Sequence, residues 1–132
     1  MKTLKGSCLC KTITFEVTGR VKKLVNCHCS LCRKMNGAAF STYAAVLSSD
    51  FQLKSGQLSS FKVSEHATKH FCADCGTPIF NSNPKLAGLN ILHFGSLETP
   101  PTQNPDVNIY CESELEWTKA ISDIPRLDKG IG

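Results

Sequence analysis

The segment FCADCGTPIF, residues 71–80, sets Cys72 and Cys75 three positions apart, follows them with Gly76 and runs on into the apolar pair Ile79 and Phe80. A C-x2-C turn of this kind lets two sulfurs reach one tetrahedral ion at about 2.3 Å each. Glycine after the second cysteine supplies the positive φ that such a turn often needs. The spacing predicts a tight turn over Cys72–Thr77, with Ile79 and Phe80 starting the return strand.

Working outward, the same chemistry recurs twice. Cys8 and Cys10 form C-x-C, and Cys27, Cys29 and Cys32 form C-x-C-x2-C. A closed structural zinc takes four ligands, and two pairs from distant segments supply four. Cys8 and Cys10 with Cys72 and Cys75 therefore make a natural four-cysteine site, tying the first strand to a later hairpin. Such a site contributes about 10 kcal/mol or more to the folding of a small domain. The triplet then offers three ligands from one loop and an open fourth position, which is how catalytic zinc is usually held. Spacing leaves other groupings open. Cys27 or Cys32 can join Cys8 and Cys10, the triplet can be free thiols beside a single zinc, or Cys72–Cys75 can be a redox pair, although no βαβ context surrounds it. Cys111 follows the strand-like VNIY and is expected to be a core thiol, with a fourth-ligand role as the alternative.

Around these clusters the pattern is mainly β. In KTITFEV, residues 11–17, Ile13, Phe15 and Val17 alternate with polar residues as in a half-buried strand. Further strands are predicted at 39–47, 51–54, 60–63, 68–71, 89–94 and 107–111, with Leu24 and Val25 leading into the triplet. Ser30 is expected to cap a short helical turn through Lys34, with Gly37 as its stop. ETPPTQNPD, residues 98–106, reads as a Pro-rich loop too polar to bury. Residues 112–121, with the single tryptophan Trp117, read as a helical turn or an extended tail.

With 132 residues, 41% hydrophobic and 20% charged, the chain predicts one small domain spanning 1–132 and not a disordered polymer. No apolar run approaches the roughly 18 residues of a membrane span. MKTLKGSCLC has no apolar stretch of the signal-peptide kind, so a cytoplasmic location is expected, where clustered thiols mean metal or redox chemistry. The formal charge of +4 counts neutral thiols. A four-cysteine zinc lowers it by two and a three-cysteine zinc by one, leaving about +1 when thiolates are the ligands. With scattered lysines and no basic-aromatic strip, no nucleic-acid partner is expected.

GSCLC at 6–10, CHCSLCRK at 27–34 and FCADCGTPIF at 71–80 resemble the glutathione-dependent formaldehyde-activating family, whose relatives include a centromere-associated protein. LHFGSLE at 92–98, Trp117 and IPRL at 124–127 extend the resemblance over nearly the whole chain. It implies a zinc-binding β-tent fold. It also implies a structural zinc on Cys8, Cys10, Cys72 and Cys75, and a labile, functional zinc on Cys27, Cys29 and Cys32. The activity implied is a carbon–sulfur lyase that forms S-hydroxymethylglutathione from glutathione and formaldehyde. A zinc carrying three thiolates is a weak Lewis acid, and a non-catalytic thiol carrier would use the same residues as the enzyme, so only turnover separates the two; a zinc-stabilised interaction module is the third reading, weakened by the charge of about +1. Candidates for proton transfer are His28 and His93, each with packing as the plainer role. Arg33 is either a carboxylate ligand or a surface arginine. His66 and His70 are expected to face solvent, and Phe40 and Tyr43 to sit in the core.

Overall fold

The computed structural model describes residues 3–131. Among them ten strands form two sheets, the mainly-β class that the alternation predicts. The smaller sheet has β1 (Leu4–Ser7), β2 (Thr14–Val17) and β5 (Phe51–Ser55), with β2 in the middle. The larger sheet comprises β3 (Lys23–Cys27), β4 (Ser41–Leu47), β6 (Ser59–Lys62), β7 (Thr68–Phe71), β8 (Pro78–Ser82), β9 (Leu89–His93) and β10 (Val107–Ile109). Its order is β10-β3-β4-β9-β8-β7-β6, antiparallel except for β10 beside β3.

The apolar alternation of 11–17 does what it predicts: Ile13, Phe15 and Val17 are fully buried. The strand itself is shorter at its start because Lys11 has a left-handed backbone, which belongs to the cysteine turn before it. Phe15 and Val17 face Leu24, Ala44, Val46, Ile79 and Leu92 of the larger sheet, and this cluster is the main core. Gly6 pairs with Phe15 across β1 and β2. A Cβ at Gly6 would lie 2.0 Å from Phe15 Cζ, and the ring is fully buried, so it has nowhere to go. Gly6→Ala is therefore expected to destabilise the protein by about 1–3 kcal/mol through overpacking. A thermal melt checks this, and an unchanged midpoint would mean that the ring repacks.

Because β10 is parallel to β3, the chain must travel back before it can pair, and the Pro-rich loop makes that journey across the surface. Asp106 ends it by accepting from the Leu24 N–H at 2.8 Å and donating its own N–H to the Leu24 carbonyl. The one α-helix among the described residues, α1 (Ser30–Asn36), starts differently from the expectation. Its N-cap is Cys29, whose sulfur accepts from the Cys32 N–H, and Ser30 is already helical. Gly37 ends it in the left-handed conformation, as expected. Residues Glu116–Asp123 are 3-10 helical with a kink at Ala120. None of the helices described is long and apolar enough to cross a membrane.

The larger sheet has a second face. Cys27, Cys32 and Tyr43 are buried there, flanked by Val25, Cys29, Met35, Ile91 and Ile109. The two cysteine groups thus lie in different packing environments, one against the main core and one on this opposite face.

Candidate functional site

The loop joining β1 to β2 and the loop joining β7 to β8 meet. Their sulfurs, from Cys8, Cys10, Cys72 and Cys75, all lie within 4.8 Å of one another. Cys8 and Cys10 are 3.6 Å apart and Cys10 and Cys72 3.8 Å. A tetrahedron with 2.3 Å metal–sulfur bonds has edges of about 3.8 Å, whereas a disulfide needs about 2.05 Å. All eight cysteines are free thiols. An all-sulfur set at this spacing suits a closed zinc site.

The two loops are built alike. The Cys8 N–H bonds the Ile13 carbonyl and the Cys72 N–H bonds the Thr77 carbonyl, each at 3.0 Å. In each loop the residue after the second cysteine turns left-handed and bonds back to the carbonyl of the first: Gly76 at φ 80° and Lys11 at φ 67°. Glycine takes this conformation freely, as its position predicts. Lysine does not, and the Lys11 ammonium is held 2.6 Å from the Glu98 carboxylate. The Thr77 hydroxyl, with the Thr77 backbone, pulls the Cys75 thiol down to about 5, and Thr12 likewise lowers Cys10.

The second group is Cys27, Cys29 and Cys32, also within 4.8 Å of one another, and among the described residues it stops at three. Cys27 ends β3, Cys29 caps α1 and Cys32 lies one turn into it. Cys27 and Cys32 are 3.4 Å apart. The hydrogen bond between them lowers the Cys27 thiol and raises that of Cys32, which burial raises further. Burial also raises Cys29. The Tyr43 hydroxyl accepts from Asn36 Nδ2 at 3.1 Å. Tyr43 is buried, as expected of a core residue, and it also lines a cleft.

That cleft, of about 580 Å³, opens over the triplet, within the range of roughly 300–1,000 Å³ common for small-molecule sites. The three cysteines line it together with β3, β4 and β9, the end of β8 at Asn81 and Ser82, Ser64, the turn from Asn83 to Leu86, and Tyr110.

Several expected side chains are elsewhere. His28 is buried, bonds Asn108 through Nε2 at 3.1 Å and packs on Phe40, away from the cleft. Arg33 donates through Nη1 to the carbonyls of His28 and Ser113, clamping the segment after β10 to the cysteine loop, and it does not line the cleft. Cys111 is exposed and outside both clusters, which corrects its reading as a core thiol. The strand stops at Ile109, and Tyr110 turns left-handed, swinging Cys111 into an outer turn. His66 stands half exposed beside Glu65. His70, expected to face solvent, instead stacks on Phe80 with centroids 4.3 Å apart and bonds Ser82.

His93 lines a neighbouring cavity with Asn36 and Phe40. It is buried, bonds Asn81 at 2.9 Å and meets Tyr43 edge-on. Burial, and next the charge of Lys69, push it down to about 3 from 6.5. It is therefore neutral in the folded protein. As pH falls below 6.5 the unfolded chain takes up a proton that the folded one refuses, so stability drains at about 1.4 kcal/mol per unit. Between pH 6.5 and 5, wild type is expected to lose about 1.6 kcal/mol more than His93→Gln, by denaturant titration. Parallel losses would contradict the burial account.

The structural neighbour fits the architecture. A crystal structure of a Rhodobacter sphaeroides protein is similar to this chain with a TM-score of 0.61 and 22% identity, over 79% of this chain and 97% of the other. The family model described as glutathione-dependent formaldehyde-activating enzyme matches residues 3–113, a span that holds both cysteine groups.

Proposed function

The chain belongs to the glutathione-dependent formaldehyde-activating enzyme family, and from that premise we propose that it is a zinc-dependent carbon–sulfur lyase acting on adducts of formaldehyde with glutathione or a similar small thiol. The observation that carries the reading is the group of three sulfurs that stops at three and opens into a cleft. Cys8, Cys10, Cys72 and Cys75 would hold the structural zinc, and Cys27, Cys29 and Cys32 the functional one. Zinc at the triplet would offer a fourth position to the substrate sulfur and favour its thiolate.

The chain supplies the rest. α1 and the end of β3 fix the three cysteines, and the cleft walls hold the thiol and exclude water. In the synthetic direction the sulfur attacks the formaldehyde carbon and a carbon–sulfur bond forms. The carbonyl π pair moves to oxygen, which takes up the proton that the thiol gave up. Tyr43, positioned by Asn36 and lining the cleft, offers that oxygen a hydrogen bond.

Exchange NMR tests this, because the uncatalysed addition is itself quick. The zinc-loaded protein is expected to raise the exchange rate between glutathione and its hydroxymethyl adduct at least tenfold. Thiol binding without faster exchange would make the protein a carrier instead.

A further inference from the structure

The floor of the cleft selects among thiols. Lys23, Val25 and Cys27 alternate on one face of β3, with Tyr43 paired to Val25, Ala45 to Lys23 and Ile91 to Ala45. The surface leading away from Cys27 is thus Val25, Ala45 and Ile91, all apolar and half-buried. Three of the exposed large hydrophobic residues, Leu31, Leu86 and Tyr110, also stand on its walls. Among the lining residues Lys23 is the single charged one. At about 3.3 Å per residue it lies roughly 13 Å along the strand from Cys27. The nearby cations do not line the cleft: Arg33 bonds two backbone carbonyls and Lys69 the Met35 carbonyl at 2.9 Å.

Glutathione brings two carboxylates and an ammonium, and its thiolate would enter a site that three cysteine thiolates and a divalent ion leave at one negative charge. One carboxylate can meet Lys23. The other would lose water in a cleft whose remaining polar side chains, Ser64, Asn81, Ser82 and Asn83, carry no charge to replace it. We propose that the thiol taken by this site has an apolar body, aromatic or branched aliphatic, and at most one carboxylate, placed at the Lys23 end. This rests on the reading that the substrate sulfur joins Cys27, Cys29 and Cys32 on one metal, and it narrows the substrate of that same reaction.

Calorimetric titration of the zinc-loaded chain tests it with 2-mercaptoethanol, glutathione, phenylmethanethiol and phenylmethanol. The first reports the sulfur anchor alone, and the last the ring without the sulfur. Phenylmethanethiol is expected to bind at least tenfold tighter than glutathione and 2-mercaptoethanol, with phenylmethanol not binding detectably. Ile91→Ala is expected to cut that advantage severalfold and leave 2-mercaptoethanol unchanged. Ala45→Lys, which puts a cation on the floor, is expected to shift the preference toward glutathione. Equal or tighter binding of glutathione to wild type would overturn the apolar-thiol proposal and leave the metal–thiol reading standing. Binding of phenylmethanol as tight as the thiol would overturn it too. No binding by any of the three thiols would overturn both readings.

Discussion

Cys72→Ser is expected to abolish cooperative folding of the domain at room temperature. Cys72 is fully buried and belongs to the same packed cluster as Ile13, Phe15 and Ile79. Its sulfur is 3.8 Å from that of Cys10, on the loop that joins β1 to β2. Serine keeps the volume but loses the thiolate, so a four-sulfur zinc falls to three ligands and a hydroxyl is left in an apolar setting. A structural zinc is worth about 10 kcal/mol or more, and a whole domain is stable by only about 5–15 kcal/mol. Loss of the metal therefore removes most of the margin. Circular dichroism and a thermal melt decide it, with Cys111→Ser as the exposed control. A cooperative melt of Cys72→Ser within a few degrees of wild type would rule out a structural metal at this group.

Cys29→Ser is expected to do the reverse, leaving the fold and removing the function. Cys29 caps α1 through its sulfur, and serine is among the best N-cap residues. The helix loses nothing that it needs, while the triplet loses one of three ligands. The expected result is one metal fewer per chain, a melting point lowered by only a few degrees and exchange reduced to the uncatalysed rate. A drop in melting temperature equal to that of Cys72→Ser would contradict the division of the seven cysteines into a closed and an open group.

How much of this was legible in the sequence varies with the physics involved. Alternation in Ile13, Phe15 and Val17 specified a buried face because strand side chains repeat every two residues, and burial is what that period encodes. Gly76 and Gly37 were readable because both sit where a left-handed backbone is required. Lys11 was not: it takes the same conformation as Gly76, and nothing in its chemistry announces this. Ser30 lost the capping position to Cys29 because the triplet's geometry decided where the helix begins. Cys111 was misread because continuation of VNIY as a strand is a local expectation, and Tyr110 ends the strand by turning left-handed, which its chemistry does not announce. The short spacings made the three cysteine clusters visible, yet their grouping into four and three depends on which loops meet, a property of the fold. The cleft was the least legible feature. Its β3 wall was present as the period Lys23, Val25, Cys27, but its other walls come from β4, β9 and the Leu86 turn, whose pairing no single stretch declares.

The most direct test is the metal content per chain of protein purified without oxygen, measured before and after dialysis against a mild chelator, with and without excess glutathione. Two zinc ions per chain are expected, one that survives dialysis and one that is lost or displaced and that responds to thiol. A single zinc indifferent to chelator and thiol alike would contradict the open three-cysteine centre on which the proposed activity depends.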